Sequence, residues 1–250
     1  MIFDPVFYFV AAAAVIIVGI SKSGFGSGIG VLGVPLMALL IPPAQAAAIM
    51  LPLLCVMDIF NVVHYRTRFD RANLIILVPA ALTGILLGTF TFNYLTDDHI
   101  RILLGVISIL FVVNFFVGRR NGGQQTGPDR VKGSIWGAIA GFTSFGVHAG
   151  GPPVSIYLLP QKLDKTIFVG TTVVFFTIVN YVKLIPYSLM GQLNGDNLLT
   201  SLILAPLVPL GVWLGIKLHD RVNERLFYNL AYFFLLVTGV KLLYEGLMGM

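Results

Sequence analysis

The sequence predicts an all-α, polytopic membrane helix bundle built from two inverted repeats, each with a glycine-rich re-entrant or broken-helix hairpin. Three observations carry that expectation: the scarcity of charge, a series of apolar runs of membrane-crossing length, and a glycine-rich interruption in each half. Hydrophobic residues make up 57% of the 250 residues and charged ones 11%, and mean hydropathy is +0.90. A soluble domain carries roughly 25% charged residues, so this chain cannot cover itself with a water-facing surface. The runs are continuously apolar and about 16 to 27 residues long, enough to cross roughly 30 Å of hydrocarbon. In hydrocarbon the backbone must bond internally, which leaves helices or a closed barrel. The absence of strand-like alternation selects helices.

The first run, 2–20, lacks a basic n-region and reads as a retained membrane helix rather than a cleaved signal. The stretch Ser21-Lys22-Ser23-Gly24-Phe25-Gly26-Ser27-Gly28-Ile29-Gly30 breaks it, and the next run, 30–41, is too short to span. Runs 44–63, 73–94 and 99–117 come next. The polar stretch from Gly118 to Arg130 reads as a linker. The expected division is a first repeat over 1–117, a cytoplasmic linker over 118–131, and a second repeat over 132–250. The second repeat contains runs 132–147, 152–160, 164–190, 197–216 and 226–246. Its short run, 152–160, comes after the break Gly146-Val147-His148-Ala149-Gly150-Gly151-Pro152-Pro153.

The halves match weakly but in order. Gly24-Phe25-Gly26 corresponds to Ser144-Phe145-Gly146, Asn61 to Asn180, and Pro79, Gly84 and Gly88 to Pro206, Gly211 and Gly215. Formal net charge is +5 and the pI about 9.4, yet the cations do not form a nucleic-acid surface. They cluster between runs, at Arg66, Arg68 and Arg71; at Arg119, Arg120, Arg130 and Lys132; and at Lys217, Arg221 and Arg225. That is the positive-inside pattern of cytoplasmic loops. Two runs separate the first two clusters and four separate the last two. The crossings come out even if the glycine-broken pair is a re-entrant hairpin or if both its members cross, and not if the pair is one broken span. Both termini then lie outside, and the halves are inverted relative to each other. Interrupted helices at matching places of inverted halves point to a transporter binding site.

The candidate site residues gather at these interruptions. Glycines let a ligand approach the backbone, and a helix start beyond them offers N–H groups with partial positive charge. Gly26, Gly28, Gly150 and Gly151 are placed there, with Lys22, Ser23 and Ser27 as side-chain donors. Close packing through small residues is the plain structural alternative. Asp58, Asn61 and His64 recur every third position on run 44–63, within one broad face. Asn180 and Lys183 stand at the corresponding places of the second half. Ionisable groups inside a membrane are costly and face a bundle interior or a water-filled path. Asp58 and His64 are therefore candidate proton-coupling groups, although a salt bridge to Lys22 accounts equally well for Asp58. His148, in the second break, titrates near neutral pH and joins the candidates. The one cysteine, Cys55, lies in an apolar run and can form no intramolecular disulfide. No Walker loop and no metal-ligand spacing is found, so no cofactor is expected.

The glycine-rich break followed by Val34-Pro35, the second break with Gly150-Gly151-Pro152-Pro153, and the two-half layout resemble the TauE/SafE family of sulfite and organosulfonate exporters. The resemblance runs from about residue 5 to 246. It implies secondary export of sulfite, sulfoacetate or a related anion across a bacterial inner membrane, without ATP. The implied partners are a small sulfur oxyanion or sulfonate and the lipid bilayer, with no nucleic acid; a homo-oligomer is left open. The second break departs from a uniformly glycine-rich run at His148-Ala149. An anion channel with the same donors, an intramembrane hydrolase using Ser27, and a structural subunit are the competing readings.

Overall fold

The computed structural model describes residues 2, 4–26, 30–92, 94–118, 126–219 and 224–249 of the chain, and among them every regular element is helical. The helices are α1 (Pro5–Ile20), α2 (Gly33–Ala38), α3 (Pro43–Tyr65), α4 (Arg71–Phe92), α5 (Asp97–Gly118), α6 (Arg130–Val147), α7 (Gly151–Leu158), α8 (Lys165–Leu189), α9 (Gly195–Leu204), α10 (Leu207–His219) and α11 (Glu224–Gly249). Side chains cap several starts. Asp4 accepts from Val6 N, Asp129 from Lys132 N, Asp164 from Thr166 N and Ile167 N, and Asn194 from Asn197 N. Each satisfies a backbone donor that has no partner within the first turn.

Among the described residues, four helices are long and apolar enough to cross a membrane: Pro5–Phe25, Pro43–Tyr65, Arg71–Phe92 and Lys165–Leu189. The expected run 197–216 is two helices, α9 and α10, bent by 49°. Pro206 lies between them, and without an N–H it cannot continue the helical ladder. Taken as one bent span, the pair would make a fifth crossing. Large apolar side chains stay exposed on several helices, among them Ile75 at 74%, Ile185 at 65% and Leu202 at 68%. A water-soluble protein does not expose such a belt.

The two breaks differ from the glycine loops expected. After α1 the chain continues through a π-helical turn, Ser21–Phe25. It breaks only at Gly26, whose φ of 74° suits a residue without Cβ. Helix α6 runs through Val147 and stops at His148, a left-handed residue with φ 54°. A three-residue 3₁₀ turn, Gly30–Leu32, leads into α2, and another, Leu159–Gln161, ends α7.

Glycine sets the helix pairing. A Cβ on Gly84, Gly137 or Gly141 would run into the facing backbone of α6 or α4, so these two helices lie backbone to backbone. Gly88 meets Phe145, further along both, so α4 and α6 run in the same sense. Helices α1 and α10 do likewise, with Gly19 on Gly211 and Gly24 on Gly215. By contrast α5 and α11 are antiparallel, since Gly105 meets Gly239 while Gly246 meets Ile102. Such four-residue spacings of small residues let membrane helices pack where no hydrophobic effect drives them together.

Opposite ends of the molecule have different chemistry. At one end Asp70 N donates to Thr171 Oγ1 at 2.8 Å, Thr126 N to Pro160 O at 3.1 Å, and Lys165 Nζ to His219 O. Tyr157 returns α7 to the start of α6, its hydroxyl 3.3 Å from Asp129 O and 3.2 Å from Asp129 N. Arg66, Arg68, Arg71, Arg130, Lys132 and Lys217 all lie near this end, which is therefore the basic one. At the other end Gln45 bonds Asn197, and Phe92, Phe145 and Tyr187 stack edge to edge.

Candidate functional site

Two polar clusters meet inside the bundle where the helices break. The first is built on the π turn. Lys22 is buried on that turn, and its Nζ lies 2.6 Å from Asp58 Oδ1 on α3. The expected alternative for Asp58, a salt bridge to Lys22, is therefore present. The other Asp58 oxygen, Oδ2, accepts from Asn180 Nδ2 of α8 at 2.8 Å. One carboxylate thus holds a donor from each half. A pair so buried is tolerated only with good geometry and filled hydrogen bonds.

The second cluster centres on Lys183, which is fully buried on α8. Its Nζ lies 2.9 Å from Ser144 O, 3.0 Å from Ser144 Oγ and 2.7 Å from His148 Nδ1. These three partners match the three N–H groups of an ammonium. The far ring nitrogen of His148, Nε2, is 2.9 Å from Ala47 O, an acceptor only. Nε2 therefore carries the donated hydrogen, and Nδ1 is left to accept from Lys183. Pro52 withdraws the N–H that Ala48 O would have used. The carbonyls on either side take donors from the second half, Ala47 from His148 and Ile49 from Ser201 Oγ at 2.7 Å.

The clusters face a small cavity of about 30 Å³, lined among others by Lys22, Gly30, Ser144, His148, Gly151 and Asn180. A Cβ on Gly30 would meet nothing within 4 Å. Gly150 is packed between Ala140 O, Ser144 and Phe176 and starts α7. Backbone donors contribute less than expected. Pro152 and Pro153 carry no N–H, and Val154 N is spent on Gly150 O at 3.3 Å. Within the first turn of α7, Gly151 supplies the one remaining N–H. At the second break the candidate site is consequently made mainly of side chains.

Ser23 Oγ and both amide atoms of Asn61 are buried with no hydrogen-bond partner. Buried polar groups are nearly always bonded, so such exceptions call for an explanation. Gly26 is buried beside Phe168 and Thr172. His64 stands apart, exposed at the end of α3 and edge-on to Tyr65 at 4.7 Å. Ser27 and Gly28 lie outside the described residues. Sequence reasoning missed Ser144 as the partner of Lys183, and it missed the two tyrosines that fix the breaks. Tyr65 OH donates to Ser23 O at 2.7 Å, and Tyr187 OH donates to Phe145 O at 2.5 Å. Both bonds span 42 residues, and that equal separation was the available signal. Counted back from the tyrosines, Asp58 and Asn180 stand at the same place, as do Asn61 and Lys183, a register three residues away from the one that pairs Asn61 with Asn180.

Compared with known proteins, residues 11–242 match the family model described as sulfite exporter TauE/SafE. No curated protein and no solved structure matches the chain.

Proposed function

The chain belongs to the sulfite exporter TauE/SafE family, and from that membership we propose that it is a secondary carrier of small sulfur oxyanions and sulfonates, exporting them across a bacterial inner membrane by alternating access. The observation that carries this reading is the charge of the buried site. Lys22 and Lys183, one from each half, converge with a single carboxylate, Asp58. When both lysines hold their protons, one positive charge is left over. In a low-dielectric interior such an excess attracts an anion strongly.

An anion between the breaks is taken up by Lys22, Asn180, Ser144 and the Gly151 N–H, all at or beside the cavity. Ser23 and Asn61 offer the donors that the folded protein leaves unused. His148 lines the cavity with Lys183 directly behind it, and Gly30, where a Cβ would meet nothing within 4 Å, allows close backbone approach. The small size of the cavity, about 30 Å³, supports a carrier that reshapes around its substrate over a channel with a continuous polar path.

Alternating access needs two units that rock against each other around the site. Several matched features support inverted halves. The tyrosine bonds repeat with one spacing, α1 lies beside α10 as α6 lies beside α4, and α5 lies antiparallel to α11. The return of α7 to Asp129 supports a hairpin re-entering from the basic end, which the positive-inside bias places in the cytoplasm. On this reading the hairpin of α1 and α2 re-enters from the opposite side.

Calorimetric titration of the purified protein with sulfite, sulfoacetate, methanesulfonate, taurine and sulfate tests the function. At least one sulfur oxyanion is expected to bind, and Lys183→Met is expected to weaken it by at least tenfold, because it removes a buried positive charge and the donor that positions Ser144 and His148 at the cavity. Binding of none of these anions would remove the substrate class. Undiminished affinity in Lys183→Met would move the site away from these breaks.

A further inference from the structure

We propose that Asp58 is a resident counter-anion: substrate displaces its carboxylate from Lys22 and Asn180, and Asp58 takes a proton as substrate binds. The inference rests on the anion-carrier reading above and names how that same site is coupled to protons.

The geometry begins with the two residues that hold Asp58. Lys22 is 2.6 Å from one carboxylate oxygen and Asn180 is 2.8 Å from the other. Both also line the cavity, whereas Asp58 does not. The donors thus stand between the carboxylate and the space an incoming anion would occupy. Among the described residues lining the cavity Lys22 is the one lysine or arginine, and Lys183 behind them already has its three N–H directions filled by Ser144 and His148. An anion entering the cavity must therefore draw on the donors that Asp58 uses.

The fate of Asp58 is decided by the groups around it. From the first break it faces Lys22, and from α8 it faces Asn180, Lys183 and Tyr181. On its own helix its neighbour is Cys55, and from the second break His148 interacts with both lysines. Asp58 is the only carboxylate in this set. Once an anion has taken Lys22 and the Asn180 amide, the Asp58 carboxylate is left buried, without those partners and beside a second negative charge. A buried unpaired carboxylate neutralises by taking up a proton. That proton comes from the water that admits the anion, and it is released when Asp58 regains its donors. One proton then accompanies each anion. A monovalent substrate is carried without net charge movement.

Proton uptake fixes the sign of the pH dependence. If one proton is taken up per anion, affinity falls as pH rises, by up to about tenfold per unit. Methanesulfonate and sulfate are the probes, because neither changes protonation near neutral pH. Calorimetry of the wild-type protein in buffers of different ionisation enthalpy reads the proton count directly and needs no variant. Uptake close to one proton per anion is expected. In Asp58→Asn, which keeps the size of the side chain, uptake should vanish and the affinity should become flat with pH. Anion binding with no proton uptake in the wild type would overturn this inference and leave the carrier reading standing. Uptake that persists unchanged in Asp58→Asn would also overturn it, by placing the proton elsewhere. If neither probe, nor any other sulfur anion, binds at any pH, the carrier reading itself fails, and this inference with it.

Discussion

At the scale of single residues, the breaks are held open by bonds the sequence does not advertise. A helix that stops or bulges inside a membrane leaves carbonyls without partners, and each such group is expensive in hydrocarbon. Tyr65 and Tyr187 answer this by donating to Ser23 O and Phe145 O. Both tyrosines are buried, at 1% and 4% exposure, so water cannot replace them. Removing the Tyr187 hydroxyl is expected to cost about 1–3 kcal/mol, the penalty of leaving a buried acceptor unmatched. The thermal midpoint of Tyr187→Phe in detergent should fall accordingly. An unchanged midpoint would mean that Phe145 O finds another donor. Asp58, Asn61, Asn180 and Lys183 were legible as candidate site residues because polar groups inside apolar runs need a reason to be there. Their partners were not legible, because those lie on other helices.

At the scale of elements, pairing through glycine is what places the breaks. Helix α6 reaches the interior only by lying against the backbone of α4 at Gly137 and Gly141. A Cβ on Gly141 would fall on Ala81 O, and backbone cannot move aside as a flexible side chain can. Gly141→Val should therefore force α4 and α6 apart, at roughly 1–3 kcal/mol for overpacking. It should also lower anion affinity, because Ser144 sits one turn further along α6. Thermal unfolding together with calorimetry checks both effects. Loss of stability with undiminished binding would show that α6 can shift without moving the site. The sequence shows these glycines at intervals of four. It does not say which helix each one faces, because the spacing serves any close neighbour equally well.

At the scale of the whole molecule, the halves are tied to each other by amide pairs at opposite ends. Near the basic end Asn73 Nδ2 donates to Gln161 Oε1 at 2.8 Å and Gln161 Nε2 donates to Asn73 Oδ1 at 3.0 Å, both side chains buried. At the far end Gln45 Nε2 donates to Asn197 Oδ1 at 3.1 Å in a half-buried setting. Each pair joins the start of a helix in one half to a segment of the other. Rocking one half against the other would break one pair before the other. Cys55, buried near Asp58, is the one cysteine of the chain and a natural reporter of opening. Asn73→Ala should raise its rate of modification by a small maleimide severalfold when the reagent is on the basic side. Equal rates in variant and wild type would show that the amide pair does not hold that side closed.

The sequence by itself determined the class of protein: composition and run length require membrane helices, and the two glycine-rich interruptions mark where two of those helices end, at Gly26 and at His148. It also marked which polar residues sit at membrane depth, since a charge in an apolar run is visible without coordinates. Only the tertiary structure decided how those residues are shared. It showed that Asp58 takes donors from both halves, that Lys183 is committed to Ser144 and His148, and that His64 stands aside at the end of its helix. It also showed that at the second break Val154 N is spent on Gly150 O, so that with Pro152 and Pro153 in the first turn few backbone donors remain there. The physical reason is the reach of each signal. Hydropathy and glycine spacing are properties of one segment, while an ion pair depends on two helices brought into contact by packing elsewhere in the bundle.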